Sequence, residues 1–113
     1  MARGKMTVYV AGPMRGKLQF NYPAFHRAEI YLRTLGFKVV NPATMGEVYG
    51  KPEEINADKK LLKQLMNDEL REVAQCDAIY LLRGWEKSVG ALKELALALQ
   101  LDLEIMMQRW GVA

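Results

Sequence analysis

Short apolar runs alternate with segments of helical periodicity along this 113-residue chain. Runs rich in β-branched and aliphatic residues predict four strands: Met6–Ala11, Phe37–Val40, Asp77–Leu82 and Leu103–Met107. Apolar residues three or four positions apart predict three helices: one from a cap at Asn21 to Gly36, one over 59–75, and one from Ser88 to about Gln100. This alternation is typical of a parallel sheet with helices on both faces.

We therefore expect an α/β fold, a Rossmann-like/flavodoxin-like three-layer sandwich with a parallel sheet of four to five strands. The length suits one domain, residues 1–113. Residues 42–58 contain Gly46, Gly50 and Pro52 and show no clear period. We expect a long loop there, with room for one short helix inside it, and loops of this length are often functional.

Composition and charge narrow the classes of ligand and the cellular location that suit this chain. The net charge of +3 and the pI near 9.1 suit an anionic ligand. Basic residues are interleaved with acids, which argues against sequence-specific nucleic-acid binding. The single cysteine, Cys76, forms no disulfide within the chain and fits a reducing compartment. No apolar run reaches the length of a membrane span, so we expect a cytoplasmic protein with no membrane partner.

Functional residues in parallel α/β folds lie where the strands end, at the carboxyl edge of the sheet. This rule selects residues 12–16, 41–45 and 83–90. In the first stretch, glycines allow close backbone approach and Arg15 can pair with a phosphate or a carboxylate. Asn41 is the candidate of the second stretch. Tyr9, inside the first strand, is either a core residue or a hydroxyl that reaches the site.

Glu94 is the most informative charged residue. From Val89 to Leu99 only Lys93 and Glu94 are charged, so this helix is apolar almost all round. A carboxylate on such a helix costs free energy unless it is paired or used, and near the helix start the dipole favours an anion. Two interpretations stay open: a catalytic carboxylate, or a solvent-facing stripe that Glu94 shares with Lys93.

Two neighbouring positions offer further candidates. Ser88 is either a plain N-cap or, with Gly90 and the free N–H groups of the helix start, a phosphate contact. On the helix over 59–75, Glu69 falls on the apolar face or its edge, whereas Asp68 falls on the polar face. If one of these acids points inward it should be Glu69, and a boundary side chain that reaches solvent is the alternative.

Three other polar residues have simpler interpretations. We expect Cys76 to be a small buried apolar residue, Asp77 to be structural, and His26 to be solvated on the polar face of the first helix. No group of residues has the spacing of metal ligands.

Taken together, these residues resemble the nucleoside 2-deoxyribosyltransferase superfamily, and especially its deoxynucleoside 5′-monophosphate N-glycosidase branch and small phage-borne members. The resemblance spans about residues 6–107 and rests on four stretches: Tyr9–Gly16, Glu69–Asp77, Asp77–Leu82 and Ser88-x-Gly90-x-x-x-Glu94. It implies that Glu94 is the catalytic glutamate and that Tyr9 lines the sugar site. Position 69, a catalytic aspartate in the family, is Glu69 here. The implied substrate contacts are Gly12, Met14, Arg15, Gly16, Ser88 and Gly90.

The resemblance implies cleavage or transfer of the N-glycosidic bond of a 2-deoxynucleoside 5′-monophosphate through a covalent glycosyl-Glu94 intermediate. It implies no cofactor and no metal, a small-molecule deoxynucleotide as ligand, and a homodimer or larger homo-oligomer. The alternative is a non-catalytic module of the same fold that binds a nucleotide or a nucleotide-derived signal. A third hypothesis is an interaction protein whose partner surface includes Trp85, Trp110 and the stretch 42–58.

Overall fold

The computed structural model describes residues 6–109, so Trp110 lies outside the described residues. The described strands are β1 (Thr7–Ala11), β2 (Lys38–Val40), β3 (Ala78–Leu81) and β4 (Glu104–Met107). The α-helices are α1 (Tyr22–Thr34), α2 (Pro42–Tyr49), α3 (Pro52–Ala57), α4 (Lys59–Gln75) and α5 (Val89–Gln100). The four predicted strands and three predicted helices are confirmed, with small shifts at their ends.

The four strands form one parallel sheet in the order β2-β1-β3-β4. Side chains alternate between its two faces, and each face has its own buried cluster. One face shares a buried cluster with α1: Val8, Val10, Ala78 and Tyr80 with Phe25, Ala28 and Leu32. The opposite face shares one with α4 and α5: Tyr9, Ala11, Ile79 and Leu81 with Val73, Ala91 and Ala98. The prediction of a three-layer α/β sandwich is therefore confirmed.

The stretch 42–58 is helical rather than one long loop, so that expectation is wrong. Asn41 accepts a hydrogen bond from the Ala43 N–H at 2.9 Å and caps α2, which has a proline in its first turn. At α3, Glu54 accepts from the Lys51 N–H at 2.8 Å, and Pro52 is the first helical residue. Caps and prolines fix two short helices here without an apolar period.

A left-handed turn precedes α1. Gln19, Phe20 and Asn21 have φ values of 53°, 54° and 60°, although none of them is glycine. Each such residue costs roughly 1–2 kcal/mol, and burial of Phe20 at 6% exposure opposes that cost. The predicted side-chain cap at Asn21 is wrong, because Asn21 makes no cap bond with α1. Its Nδ2 instead donates to the Pro13 carbonyl at 3.0 Å.

The residues before β3 are structural, as expected. Cys76 is buried in the core, and burial raises the pKa of its thiol to about 12. Asp77 accepts a hydrogen bond from the Thr7 N–H at 2.9 Å and so ties the starts of β1 and β3 together. Among residues 6–109, no helix has both the length and the apolar character needed to cross a membrane.

Candidate active site

A cleft of about 1020 Å³ opens at the carboxyl edge of β1 and β3. Crossovers leave these adjacent strands in opposite directions, since β1 leads to β2 and β3 leads to β4, which makes this edge the topological switch point where parallel α/β folds bind ligands. Its walls are the loop after β1, the inner side of α4 and the start of α5. Eight predicted site residues line it: Gly12, Met14, Arg15, Gly16, Glu69, Ser88, Gly90 and Glu94.

Glu94 lies at the base of the cleft. Its side chain is only 7% exposed, whereas the neighbouring Lys93 is exposed, so the interpretation of a shared solvent-facing stripe is wrong for Glu94. The fully buried Tyr9 donates its hydroxyl hydrogen to Glu94 Oε2 at 2.6 Å. Burial raises the pKa of Glu94, and this hydrogen bond opposes the rise. Tyr9 therefore lies behind the cleft wall and acts on the site through Glu94.

Glu69 is the second buried acid of the cleft, which confirms that it, and not Asp68, points inward. Burial, followed by the nearby Glu94 carboxyl, raises the pKa of Glu69. Within residues 6–109 its Oε2 atom has no hydrogen-bond partner. Asp68 instead contacts the Tyr49 hydroxyl and the Arg71 guanidinium on the outside of α4. A buried acid oxygen without a hydrogen-bond partner favours the protonated, uncharged form of its carboxyl.

Burial and a close like charge act in the same direction on this acid pair. Because both disfavour ionisation, the pair retains at least one proton at pH values well above the usual pKa of a glutamate. The phenol of Tyr9 also stays protonated, since burial and then Glu94 raise its pKa well above its ordinary value. Tyr9 is thus a permanent donor to Glu94.

The mouth of the cleft is cationic. Ser88 caps α5 by accepting from the Ala91 N–H at 3.2 Å, so the N-cap interpretation is confirmed, and its side chain still lines the cleft. A Cβ built on Gly90 would meet no atom within 4 Å, so the first turn of α5 faces open space. Four exposed cations line the cleft: Arg15, Lys17, Lys87 and Lys93.

Asn41 is not among the residues that line the cleft. Its side chain is committed to α2 and α1: Oδ1 caps α2, and Nδ2 donates to Glu29 Oε1 at 3.0 Å. Nδ2 also lies 3.2 Å from His26 Nδ1, while His26 Nε2 lies 3.1 Å from Glu47. His26 is therefore only partly exposed to solvent and joins α1 to α2.

Several lining residues were not predicted as site residues. Lys17 and Lys87 flank predicted positions, but nothing in the sequence distinguishes them from other surface lysines. The apolar wall comes from helix faces that the sequence assigns to the core, so periodicity gave no sign of their second role. The unpredicted wall residues from these helix faces are Phe25, Leu62, Leu65 and Met66. Phe20 of the left-handed turn and the amide Asn56 of α3 also line the cleft.

The fold and cleft define a three-layer parallel α/β protein with a buried acid pair at its switch point. The chain belongs to the DUF4406 family, a domain of unknown function, whose model matches residues 6–107. No curated protein matches the sequence. Within the described residues 6–109, no three His, Cys, Asp or Glu side chains converge as potential metal ligands.

Proposed function

We propose that this protein cleaves or transfers the N-glycosidic bond of a 2-deoxynucleoside 5′-monophosphate, with Glu94 as nucleophile. The observation that carries the proposal is the pair of buried carboxyls, Glu94 and Glu69, in one cleft at the carboxyl edge of the sheet. Cleavage of a glycosidic bond uses two carboxyls in different protonation states. Membership of the nucleoside 2-deoxyribosyltransferase superfamily is part of the proposal, supported by the sequence resemblance.

The surroundings of the two carboxyls favour different roles. The hydrogen bond from Tyr9 stabilises the carboxylate of Glu94 and thereby lowers its pKa against the effect of burial. Glu69 Oε2 has no such donor among the described residues, and its pKa is raised by burial and by Glu94. Glu94 is therefore the acid that ionises first and Glu69 the acid that keeps its proton.

In the first step, a Glu94 oxygen forms a bond to C1′ while the C1′–N bond breaks through an oxocarbenium-like transition state. The base leaves with the electron pair of that bond and takes the proton of Glu69. Water then attacks C1′ and gives its proton to Glu69, which releases 2-deoxyribose 5-phosphate and restores the Glu94 carboxylate. A second base in place of water gives transfer.

The charge of the cleft supports a phosphate on the substrate. Its four cations face three acids, Glu69, Glu86 and Glu94, one of which keeps a proton. The open first turn of α5 at Gly90 leaves room for an anion at its free N–H groups. We also propose a cytoplasmic location, from the composition of the sequence, and a homodimer or larger assembly, from the family resemblance alone.

The test is base release from a panel of deoxynucleoside 5′-monophosphates, with and without a free acceptor base. We expect release by the wild type and a loss of at least about a thousandfold in Glu94→Gln. Glu72→Gln is the matched control, since Glu72 lies on α4 outside the cleft. Wild type that is mixed with substrate and then quenched by denaturation should carry a 2-deoxyribosyl phosphate on the peptide containing Glu94. Full turnover by Glu94→Gln would contradict the mechanism.

One observation favours a second candidate, a nucleotide-binding module that does not cut its ligand. Burial raises the pKa of both Glu94 and Glu69, and a protonated Glu94 binds ligand hydroxyls but does not attack C1′. This candidate predicts monophosphate affinity without base release at any pH. Calorimetric titration beside the release assay separates it from the enzyme.

A further inference from the structure

We infer that Asn21 is a positioning residue that holds the substrate loop, defined as residues 12–17, in place along the cleft. The Asn21 amide donates to the carbonyl of Pro13, near the start of this loop, at 3.0 Å. Arg15, which follows two residues later, lines the cleft mouth. The nucleotide as ligand rests on the proposed function, whereas the tether to Pro13 rests on this contact alone.

The left-handed turn aims the Asn21 side chain at the loop. With φ 60° and ψ 21°, Asn21 makes no hydrogen bond to the first turn of α1 and reaches back to Pro13 instead. Asn tolerates this conformation better than most residues because its short polar side chain can bond locally. A strained turn persists only where its surroundings fix it, and buried Phe20 packs edge-on against Tyr22 with 6.0 Å between ring centroids.

The tether completes a set of contacts that closes the loop on itself. The Lys17 N–H donates to the Met14 carbonyl at 3.1 Å, and the Phe20 N–H donates to the Lys17 carbonyl at 3.1 Å. Among the hydrogen bonds described for residues 13–21, only that of Asn21 links the turn to the first half of the loop through a side chain. The Asn21 amide is therefore the side-chain hydrogen bond that joins the Pro13 carbonyl to the turn.

Arg15 and Lys17 lie between these fixed points. Both side chains are exposed, and within residues 6–109 neither forms an ion pair with a carboxylate. Their placement follows from the loop backbone rather than from partners of their own. Loss of the tether should consequently weaken binding of an anionic ligand without changing the chemistry at Glu94.

Three variants separate the tether from the backbone strain. Asn21→Gly keeps the left-handed conformation and removes the amide. Asn21→Asp keeps the shape and places an acceptor against the Pro13 carbonyl. Gln19→Gly is the matched control, since it relaxes the same turn and leaves the Asn21 amide intact.

The first readout is trypsin cleavage after Arg15 and Lys17, with fragments identified by mass. We expect Asn21→Gly and Asn21→Asp to be cut there roughly three- to tenfold faster than the wild type, and Gln19→Gly to be cut at the wild-type rate. The second readout is base release from a deoxynucleoside 5′-monophosphate, in which KM should rise by a similar factor at unchanged kcat.

Unchanged trypsin cleavage in both Asn21 variants, or faster trypsin cleavage with an unchanged KM for base release, would overturn the inference. If the wild type releases no base, the proposed function fails and trypsin alone decides the tether: faster cleavage in both Asn21 variants supports it and equal rates refute it. Equal acceleration in Gln19→Gly would assign the effect to the turn and refute the role of Asn21.

Discussion

At the scale of single residues, the contact from Tyr9 to Glu94 controls the pH at which Glu94, the proposed nucleophile, is charged. Removing the hydroxyl in Tyr9→Phe removes the interaction that lowers the pKa of Glu94, so this pKa should rise. A hydrogen bond to a charged group is worth about 1.5–3 kcal/mol, or roughly one to two pKa units. We expect the acidic limb of the pH profile of kcat/KM to move to higher pH by about that amount.

The matched control is Tyr49→Phe, which removes a tyrosine hydroxyl from the carboxylate of Asp68, outside the cleft. It should leave the pH profile unchanged. Titration of the ¹³C-labelled glutamate carboxyl of Glu94 measures the same shift without turnover. An acidic limb at the wild-type pH in Tyr9→Phe would show that another group sets the charge of Glu94.

The sequence predicted both acids of the site for a local reason. Periodicity marks a carboxylate within an apolar helix, as at Glu94, and one on the apolar edge of an amphipathic helix, as at Glu69, as candidates. It leaves a solvent-facing position open for both, and only their burial in the fold decides between the two. The Tyr9 contact spans 85 positions in sequence, and periodicity carries no information on pairs so far apart. The same limit applies to Lys87 and Asn56, whose place at the cleft depends on how the elements assemble.

At the scale of elements, the prediction succeeded where packing gives a period and failed where capping decides the structure. β1, β3 and α4 bury regular apolar patterns. The helices of 42–58 are short and begin at Asn41-Pro42 and Lys51-Pro52, so their signals are caps rather than periods. The left-handed turn before α1 gives no sequence signal, since Gln19 and Phe20 are not residues that favour such a backbone.

The contact between α1 and α2 leads to a prediction about two helical glycines. A Cβ on Gly46 of α2 would overlap the Tyr22 hydroxyl of α1, whereas a Cβ on Gly90 of α5 would meet open space. Alanine is intrinsically favoured over glycine in a helix by about 1 kcal/mol. We expect Gly90→Ala to stabilise by up to that amount and Gly46→Ala to destabilise by about 1–3 kcal/mol, as measured by chemical denaturation.

A second variant tests whether the Tyr22 hydroxyl causes the loss of stability in Gly46→Ala. Among the described residues the buried Tyr22 hydroxyl has no hydrogen-bond partner, so Tyr22→Phe alone should cost little. Added to Gly46→Ala, it should restore much of the lost free energy of unfolding. Equal stabilities of Gly46→Ala and of the double variant would show that the overlap at Gly46 does not involve that hydroxyl.

At the scale of the whole molecule, two buried acids make stability depend on pH. Both pKa values are raised in the folded protein, first of all by burial. The folded chain therefore binds more protons than the unfolded chain at pH values above about 4.3, the ordinary pKa of a glutamate. The contribution of these acids to the free energy of unfolding is fully present below that pH and is lost as pH rises through the folded pKa values.

Glu69→Gln tests this dependence, because glutamine has nearly the volume of the protonated acid and does not ionise. Its free energy of unfolding in urea should match that of the wild type near pH 4 and exceed it by at least about 1 kcal/mol near pH 8, since each raised pKa unit is worth about 1.4 kcal/mol. Glu72→Gln, on the same helix outside the cleft, should follow the wild type. Parallel curves for wild type and Glu69→Gln would mean that Glu69 ionises freely in the folded protein, which would remove the proton donor from the proposed reaction.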